Sequence, residues 1–269
     1  MLDAVNQIRI ILVEPAGSLN VGSIARVMKN MGLHQLTLVN PHCDPLSADA
    51  FQMAVHADDV LRSAEVVPTL PDALVGCQRA IATTSRDRAL DMPVDHPQPG
   101  LRWLLASQVN PATSLDSALI FGPEDRGLSN QELIYAQRCI RIPSNPVYPS
   151  LNLAQAVAIC CYELYQLKHG QFGANNVDAS RLSVSEKDAM QPAHADAAPL
   201  DALEGYFQQL EAVLLKIGYL YPHTAESRMA KFRRLFNRVE PSESEVAMLR
   251  GILRQMEWAL ENHSIMNAE

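Results

Sequence analysis

Short apolar runs rich in β-branched residues recur along the first 169 residues, separated by stretches whose apolar positions fall three to four apart. The runs IRIILV (8–13), QLTLV (35–39), RAIATT (79–84), SALIFG (117–122) and CIRI (139–142) end at Gly, Pro or polar clusters, as buried strands do. Helical patterns occupy 20–32, 47–64, 71–77, 99–109, 129–136 and 151–168. Strands alternating with helices predict an α/β fold: a mainly parallel sheet with helices on both faces.

That rhythm stops at residue 170. Residues 170–199 are rich in Gly, Ala, Asp and Ser and keep no sustained period, which predicts a linker. Beyond Pro199 the pattern predicts three helices, at 200–218, 223–238 and 242–262. The last is entered through Ser242 with Glu245 three residues on, the spacing of a capping box. The expected organisation is an α/β domain over 1–169, a linker over 170–199 and a small all-helical C-terminal domain over 200–269.

Composition narrows the class. With 48% hydrophobic and 19% charged residues in 269, the chain has material for a sizeable core. No apolar run approaches the ~20 residues of a membrane span. The start, MLDAVNQIRIILVEP, lacks the pattern of a signal peptide. Five cysteines, odd in number and without C-x-x-C spacing, argue against a disulfide framework or a zinc site and for a reducing cytoplasm. No motif calls for a metal. A net charge of −8 is a poor start for a nucleic-acid binder, because phosphate contacts need Lys and Arg. One run runs against that sum: RMAKFRRLFNR (228–238) holds five basic residues and no acidic one, with Phe232 and Phe236 at core spacing.

In parallel sheets ligands bind beyond the carboxyl ends of strands, so the loops that follow strands are where chemistry is expected. Three stand out. EPAGSLNVGSIARVMKNMG follows the first strand. It has Gly17 and Gly22 at phosphate-loop spacing, but Ser23 stands where a P-loop needs Lys, which counts against a nucleoside-triphosphate enzyme. Asn20 and Gly22 remain at a helix start with Arg26 beyond, and alone they read more readily as a capped helix with a solvated arginine than as a binding loop. IFGPEDRGLSNQEL (120–133) places Gly122, Glu124 and Gly127 between a strand and a helix capped by Ser129 or Asn130; its plain reading is a tight turn. The third, RIPSNPVYPSLNLA, holds Pro143, Pro146 and Pro149 before Ser150-Leu151-Asn152. An ordinary strand-to-helix connection takes about two to six residues. This one uses more, and its prolines lower the loop's entropy before any ligand arrives.

Taken together, N-x-G-x-x-x-R at Asn20, Gly22 and Arg26, F-G-x-E-x-x-G-L at Phe121 to Leu128, and I-P followed by S-L-N-L-A up to Ala154 resemble the three motifs of the SPOUT class of RNA methyltransferases. The fit tightens to the branch that 2′-O-methylates the ribose of nucleotide 32 in the tRNA anticodon loop, through TSRDR (84–88) and LRGIL (249–253). The likeness is close over 7–168 and looser over 200–262. It implies a C-terminal trefoil knot in the α/β domain, an obligate homodimer, tRNA as partner and S-adenosylmethionine as cofactor. It also implies that Thr84, Ser85, Gly122, Ile142, Ser150, Leu151 and Asn152 hold the cofactor, and that Arg26 acts in catalysis. Asn20, Gly22, Glu124 and Gly127 would shape the motifs. The Thr83-Thr84-Ser85-Arg86 stretch is one residue shorter than the Gly-Thr-Ser-Ala-Arg of similar chains.

An arginine, with a pKa above ~12, is a poor general base, so Arg26 is expected to stabilise the developing alkoxide or orient a phosphate. For RNA contact the expected groups are Arg86 and Arg88 beside the cofactor, and Arg228, Lys231, Arg233 and Arg234 in the basic run. Two rivals remain open: ribose methylation of ribosomal RNA, and a non-catalytic RNA-binding protein, which would bind no cofactor.

Overall fold

Ile8, Ile10 and Leu12 point to one side of a sheet and Ile11 and Val13 to the other, all of them buried, so the first strand is sandwiched. The computed structural model describes residues 7–85, 92–106, 116–169 and 197–266. Its strands are β1 (Ile8–Val13), β2 (Gln35–Val39), β3 (Glu65–Val67), β4 (Cys77–Thr83), β5 (Val94–Asp95), β6 (Asp116–Phe121) and β7 (Arg138–Ile140). They form one sheet in the order β3-β2-β1-β6-β4-β7-β5, and each neighbouring pair is parallel. The helices are α1 (Ser18–Asn30), α2 (Ala48–Ala54), α3 (Asp58–Arg62), α4 (Leu70–Ala73), α5 (Pro97–Ala106), α6 (Asn130–Leu133), α7 (Leu153–Lys168), α8 (Leu200–Lys216), α9 (Pro222–Val239) and α10 (Glu243–Met266).

Two differences from the sequence pattern have local causes. The helix expected over 47–64 is two helices, because Val55 takes a left-handed φ of 58° and Asp58 and Asp59 open a new first turn, where carboxylates are favoured. Strands β3 and β5, three and two residues long, sit at the sheet edges and bury too little to leave a periodic trace.

One face of the sheet is covered by α1, α2, α3, α5 and α7, with Ile24, Met28, Leu101, Val157 and Leu164 packed on Ile8, Ile10, Ile81 and Leu119. The other presents small side chains, Ala80, Ala82 and Ala118, with Ile11 and Ile120. Upon it lies α8, with α9 and α10 packed against α8, and Leu203, Tyr206, Phe207, Leu210, Met229, Val246 and Leu253 join the same core. The C-terminal helices therefore share a core with the sheet. Polar ties reinforce this: Gln78 Nε2 donates to Ala197 O at 2.8 Å, Asn237 Nδ2 to Ile134 O at 3.0 Å, and Arg79 pairs with Glu240 at 3.0 Å. The capping box at Ser242 forms, Glu245 N donating to Ser242 Oγ and Ser242 N to Glu245 Oε2. Of the linker, residues 170–196 lie outside the described residues.

The cysteines are free thiols, four of them buried, and burial pushes Cys77 and Cys161 up to about 12. No described helix is long and apolar enough to cross a membrane.

Candidate active site

Three loops leave the carboxyl edge of the sheet side by side, those after β1, β6 and β7, and polar side chains bind them to each other. Glu124, from the second, accepts from Ala16 N at 3.0 Å, Gly17 N at 3.3 Å and Asn20 Nδ2 at 2.8 Å in the first. Asn20 Oδ1 then accepts from Asn152 Nδ2 at 3.0 Å in the third. Asn152 caps α7, its Oδ1 accepting from Ala154 N at 2.9 Å and Gln155 N at 3.3 Å. Desolvation raises the Glu124 carboxyl, but the hydrogen bonds from Asn20, Ala16, its own backbone and Gly17 outweigh it and hold the pKa below the usual range.

The third loop is rigid for reasons beyond its prolines. Ser144 Oγ donates to Pro149 O at 2.9 Å, Asn145 Oδ1 accepts from Val147 N at 2.9 Å, and Tyr148 N donates to Asn145 O at 3.0 Å. Between this loop, the end of β4 and the turn after β6 lies a cleft with about 820 Å³ of free space, part of it open to solvent. Of the residues expected to hold a cofactor, Thr84, Ser85, Gly122, Ile142, Ser150 and Leu151 all line it. Asn152 does not; it stands behind the wall as the cap of α7. Phe121, Ile140 and Leu153 give the cleft an apolar back, and Thr84 N is held by Ile140 O at 3.0 Å.

Two of the glycines are required by close packing. A Cβ on Gly22 would stand 2.1 Å from Ala50 O, so this glycine lets α1 pack against α2. A Cβ on Gly122 would stand 2.3 Å from Leu128 N: the close approach it permits is by its own loop folding back, with Gly127 at φ +65° making the turn.

Arg26 is exposed on α1, does not line the cleft of its own chain, and has no hydrogen-bond or ion-pair partner among the described residues. Arg86 and Arg88 lie outside the described residues. In the basic run, Arg228 and Lys231 are exposed and Arg234 half-buried. Arg233 departs from expectation. Its guanidinium makes two hydrogen bonds to Glu204, one at 2.9 Å, and lies 4.6 Å from the Phe207 ring and 5.0 Å from that of Tyr135. With side-chain exposures of 13% and 16%, the pair is an internal clamp between α8 and α9, not a phosphate contact. Phe236 packs edge-on against Tyr206 and Phe207, a core aromatic.

Sequence reasoning missed Arg126. It lines the cleft, pairs with Glu14 at 2.7 Å and Glu132 at 2.8 Å, and fastens the second loop to the end of β1. The hydrogen bonds it donates to Glu132 and Glu14 raise its pKa and keep it charged. A cap at Ser129 or Asn130 is expected from the sequence; the pair of Arg126 with Glu14, 112 positions away, leaves no local signal.

Residues 7–162 match the model of the SpoU rRNA Methylase family, and residues 201–265 match that of the tRNA methyltransferase TrmJ C-terminal domain. The tRNA (cytidine/uridine-2′-O-)-methyltransferase TrmJ of Pectobacterium atrosepticum is 39% identical over 260 residues, covering 96% of this chain and 98% of its own. That of Cronobacter sakazakii is 39% identical over 256 residues, covering 93% and 96%. The crystal structure of TrmJ from Z. mobilis ZM4 superposes with a TM-score of 0.75 at 32% identity, over 93% of this chain and 98% of that one.

Proposed function

Because this chain belongs to the SpoU rRNA methylase family, with the TrmJ C-terminal domain appended, we propose that it is an S-adenosylmethionine-dependent tRNA methyltransferase acting on the ribose 2′-hydroxyl of cytidine or uridine 32 in the anticodon loop. What carries this reading is the presence of both domains, in order, on a chain that runs the length of relatives named as tRNA (cytidine/uridine-2′-O-)-methyltransferases.

The cleft suits the methyl donor. Strand-end backbone at Thr84 and Ile142 can read an adenine edge, Ile140 and Leu153 give it an apolar bed, and Ser150 adds a hydroxyl. When bound, S-adenosylmethionine supplies a methyl on a positively charged sulfur, already activated for in-line transfer. The protein's part is then positioning, and the cross-tied loops hold the cleft walls in place before anything binds. Glu124 is unsuited to be the general base, since both its oxygens already accept and its pKa is depressed. Arg26 stabilises the negative charge that develops at the 2′-oxygen, or orients the neighbouring phosphate.

Arg26 does not line its own cleft, so we read the complete site as that of a homodimer in which one subunit's α1 serves the partner's cleft. Exposed Leu19 on α1 (52%) and Tyr162 on the adjacent α7 (47%) favour that pairing. Family membership further implies a trefoil knot through the C-terminal loops of the α/β part. Residues 7–169 would perform the chemistry. Residues 200–266 would grip RNA, with Arg228 and Lys231 reaching phosphates along with Arg86 and Arg88, in the cytoplasm.

Methyl transfer from labelled S-adenosylmethionine to an unmodified tRNA pool, with the product nucleotide mapped, tests the reading. A ribose methyl at nucleotide 32, lost in Arg26→Ala while cofactor binding persists, is the expected result. Transfer to another RNA would move the substrate, and absence of cofactor binding would overturn the enzyme.

A further inference from the structure

Between α8 and α9 the chain puts aromatic rings where solvent reaches them, and the local structure shows how. Gly218, in a left-handed conformation at φ +74°, ends α8 and turns the chain. Leu220, 1% exposed, then plugs into the core while its N–H donates to Leu214 O at 3.0 Å. With residue 220 pointing in, its neighbours point out: Tyr219 is 52% exposed and Tyr221 55%. Neither is loose. Arg228 donates to Tyr219 O at 3.2 Å and sets its guanidinium 5.6 Å from the Tyr219 ring. The carbonyl of Tyr221 accepts from Thr224 N and Ala225 N, and its ring stacks on His223 at 5.9 Å with 24° between the planes.

The position of this cluster gives it a use. Glu226, one turn into α9, is hydrogen-bonded to Gln131 on α6, just past the second cleft loop. Glu226 and Met229 form one wall of a groove whose other wall is the carboxyl ends of β1 and β2, at Glu14 and Asn40. The start of α9 therefore stands at the same edge of the sheet as the candidate cleft. The groove itself carries the carboxylates of Glu14, Glu132, Glu211 and Glu226.

We propose that Tyr219, Tyr221 and His223, with Arg228, form a stacking platform for unpaired bases of the tRNA substrate. Two exposed tyrosines, a histidine and a guanidinium, pre-positioned by backbone bonds, are the chemistry that grips single-stranded nucleic acid: rings stack on bases of any sequence, and the cation meets the adjoining phosphate. Rings fixed before binding lose little entropy on contact. The platform rests on the tRNA reading above and deepens it, giving the C-terminal helices a contact that does not depend on net charge.

The test uses the full chain as the double variant Tyr219→Ala/Tyr221→Ala, with Tyr219→Phe/Tyr221→Phe beside it. Fluorescence-anisotropy titration with unmodified tRNA gives affinity and its salt dependence, calorimetry gives S-adenosylmethionine affinity, and initial rates give kcat and KM for tRNA. The alanine pair, which removes two rings, is expected to weaken tRNA binding by roughly 25-fold or more. KM should rise with it, while cofactor affinity, kcat at saturating tRNA and the salt slope stay at wild-type values. The phenylalanine pair, which keeps the rings, should bind as wild type does. Wild-type affinity and KM in the alanine pair would overturn the platform, as would a loss in the phenylalanine pair equal to that in the alanine pair. A change of oligomeric state in the alanine pair, read by light scattering, would assign the surface to self-association and overturn it too. Failure of the wild type itself to methylate tRNA would sink the underlying reading, a different result from indifference of an active enzyme to these substitutions.

Discussion

The internal clamp at Arg233 separates what a basic residue does for the fold from what it does for RNA. Its two hydrogen bonds to Glu204, and the nearby Phe207 and Tyr135 rings, leave the pair only 13% and 16% exposed. Removing one partner of a buried pair costs about 3–5 kcal/mol, since the other charge stays behind unsolvated. The residual exposure places Glu204→Ala near the lower end, about 3 kcal/mol. Arg233→Ala also loses its contact with two rings and should cost about 4 kcal/mol. Replacing both, as Glu204→Leu/Arg233→Met, removes the two charges together and should lie within about 1 kcal/mol of wild type. With a urea slope of about 3 kcal/mol per M, each single substitution lowers the unfolding midpoint by roughly 1 M and the double barely moves it. The double variant then decides function: tRNA affinity and its salt dependence should remain those of the wild type. A stable double variant whose salt slope fell by about 0.7 or more would refute the reasoning and make Arg233 a phosphate contact.

Two further substitutions probe the cleft and its support. Gly22→Ala puts a methyl 2.1 Å from Ala50 O, a backbone atom; α1 and α2 must part, and thermal unfolding should report a loss of about 1–3 kcal/mol, an unchanged midpoint counting against the packing role. Glu124→Gln turns one acceptor into a donor facing N–H groups, weakening the tie between loops and the cofactor affinity measured by calorimetry. Because the folded pKa of Glu124 is depressed below its ordinary 4.5, its contribution is fully present above that pH and is lost as pH falls through the lower folded value. The stability difference between wild type and Glu124→Gln should thus hold steady from pH 8 to about 5 and shrink in more acid solution. A difference that grew on acidification would reverse the sign and refute the assignment.

The sheet was legible because its strands are buried on both faces. IRIILV or SALIFG has no polar alternative to burial, and each run appears within two residues of its predicted limits. Edge strands β3 and β5 carry no such constraint, and they left no trace. The basic run 228–238 reads as one helix with a charged face, but a helical face is a period of the local sequence. Which arginine of it meets Glu204 is set by how α8 lies on the sheet, and that in turn depends on Ala80, Ala82 and Ala118 leaving room on one face. Small residues in strands look unremarkable one at a time. Only once the sheet is assembled do they become a bed for the aromatic side of α8.

A similar dependence explains why three motifs that are weak alone point together to one site. Asn20 could cap its own helix, Glu124 could pair with any cation, and Asn152 could cap α7, each satisfied locally. In the folded chain the first two turn away from local partners. Glu124 takes donors from the loop after β1, and Asn20 offers its remaining oxygen to Asn152. Each group satisfies a polar atom that another loop would otherwise leave to water, so no one loop reaches its final shape without the other two. Such mutual dependence yields a cleft whose walls exist before the ligand, and it lowers the ordering cost that binding must overcome. It also explains why Asn152, expected to touch the cofactor, stands behind the wall. Its task is to hold in register the loop that carries Ser150 and Leu151, the residues that do face the cleft.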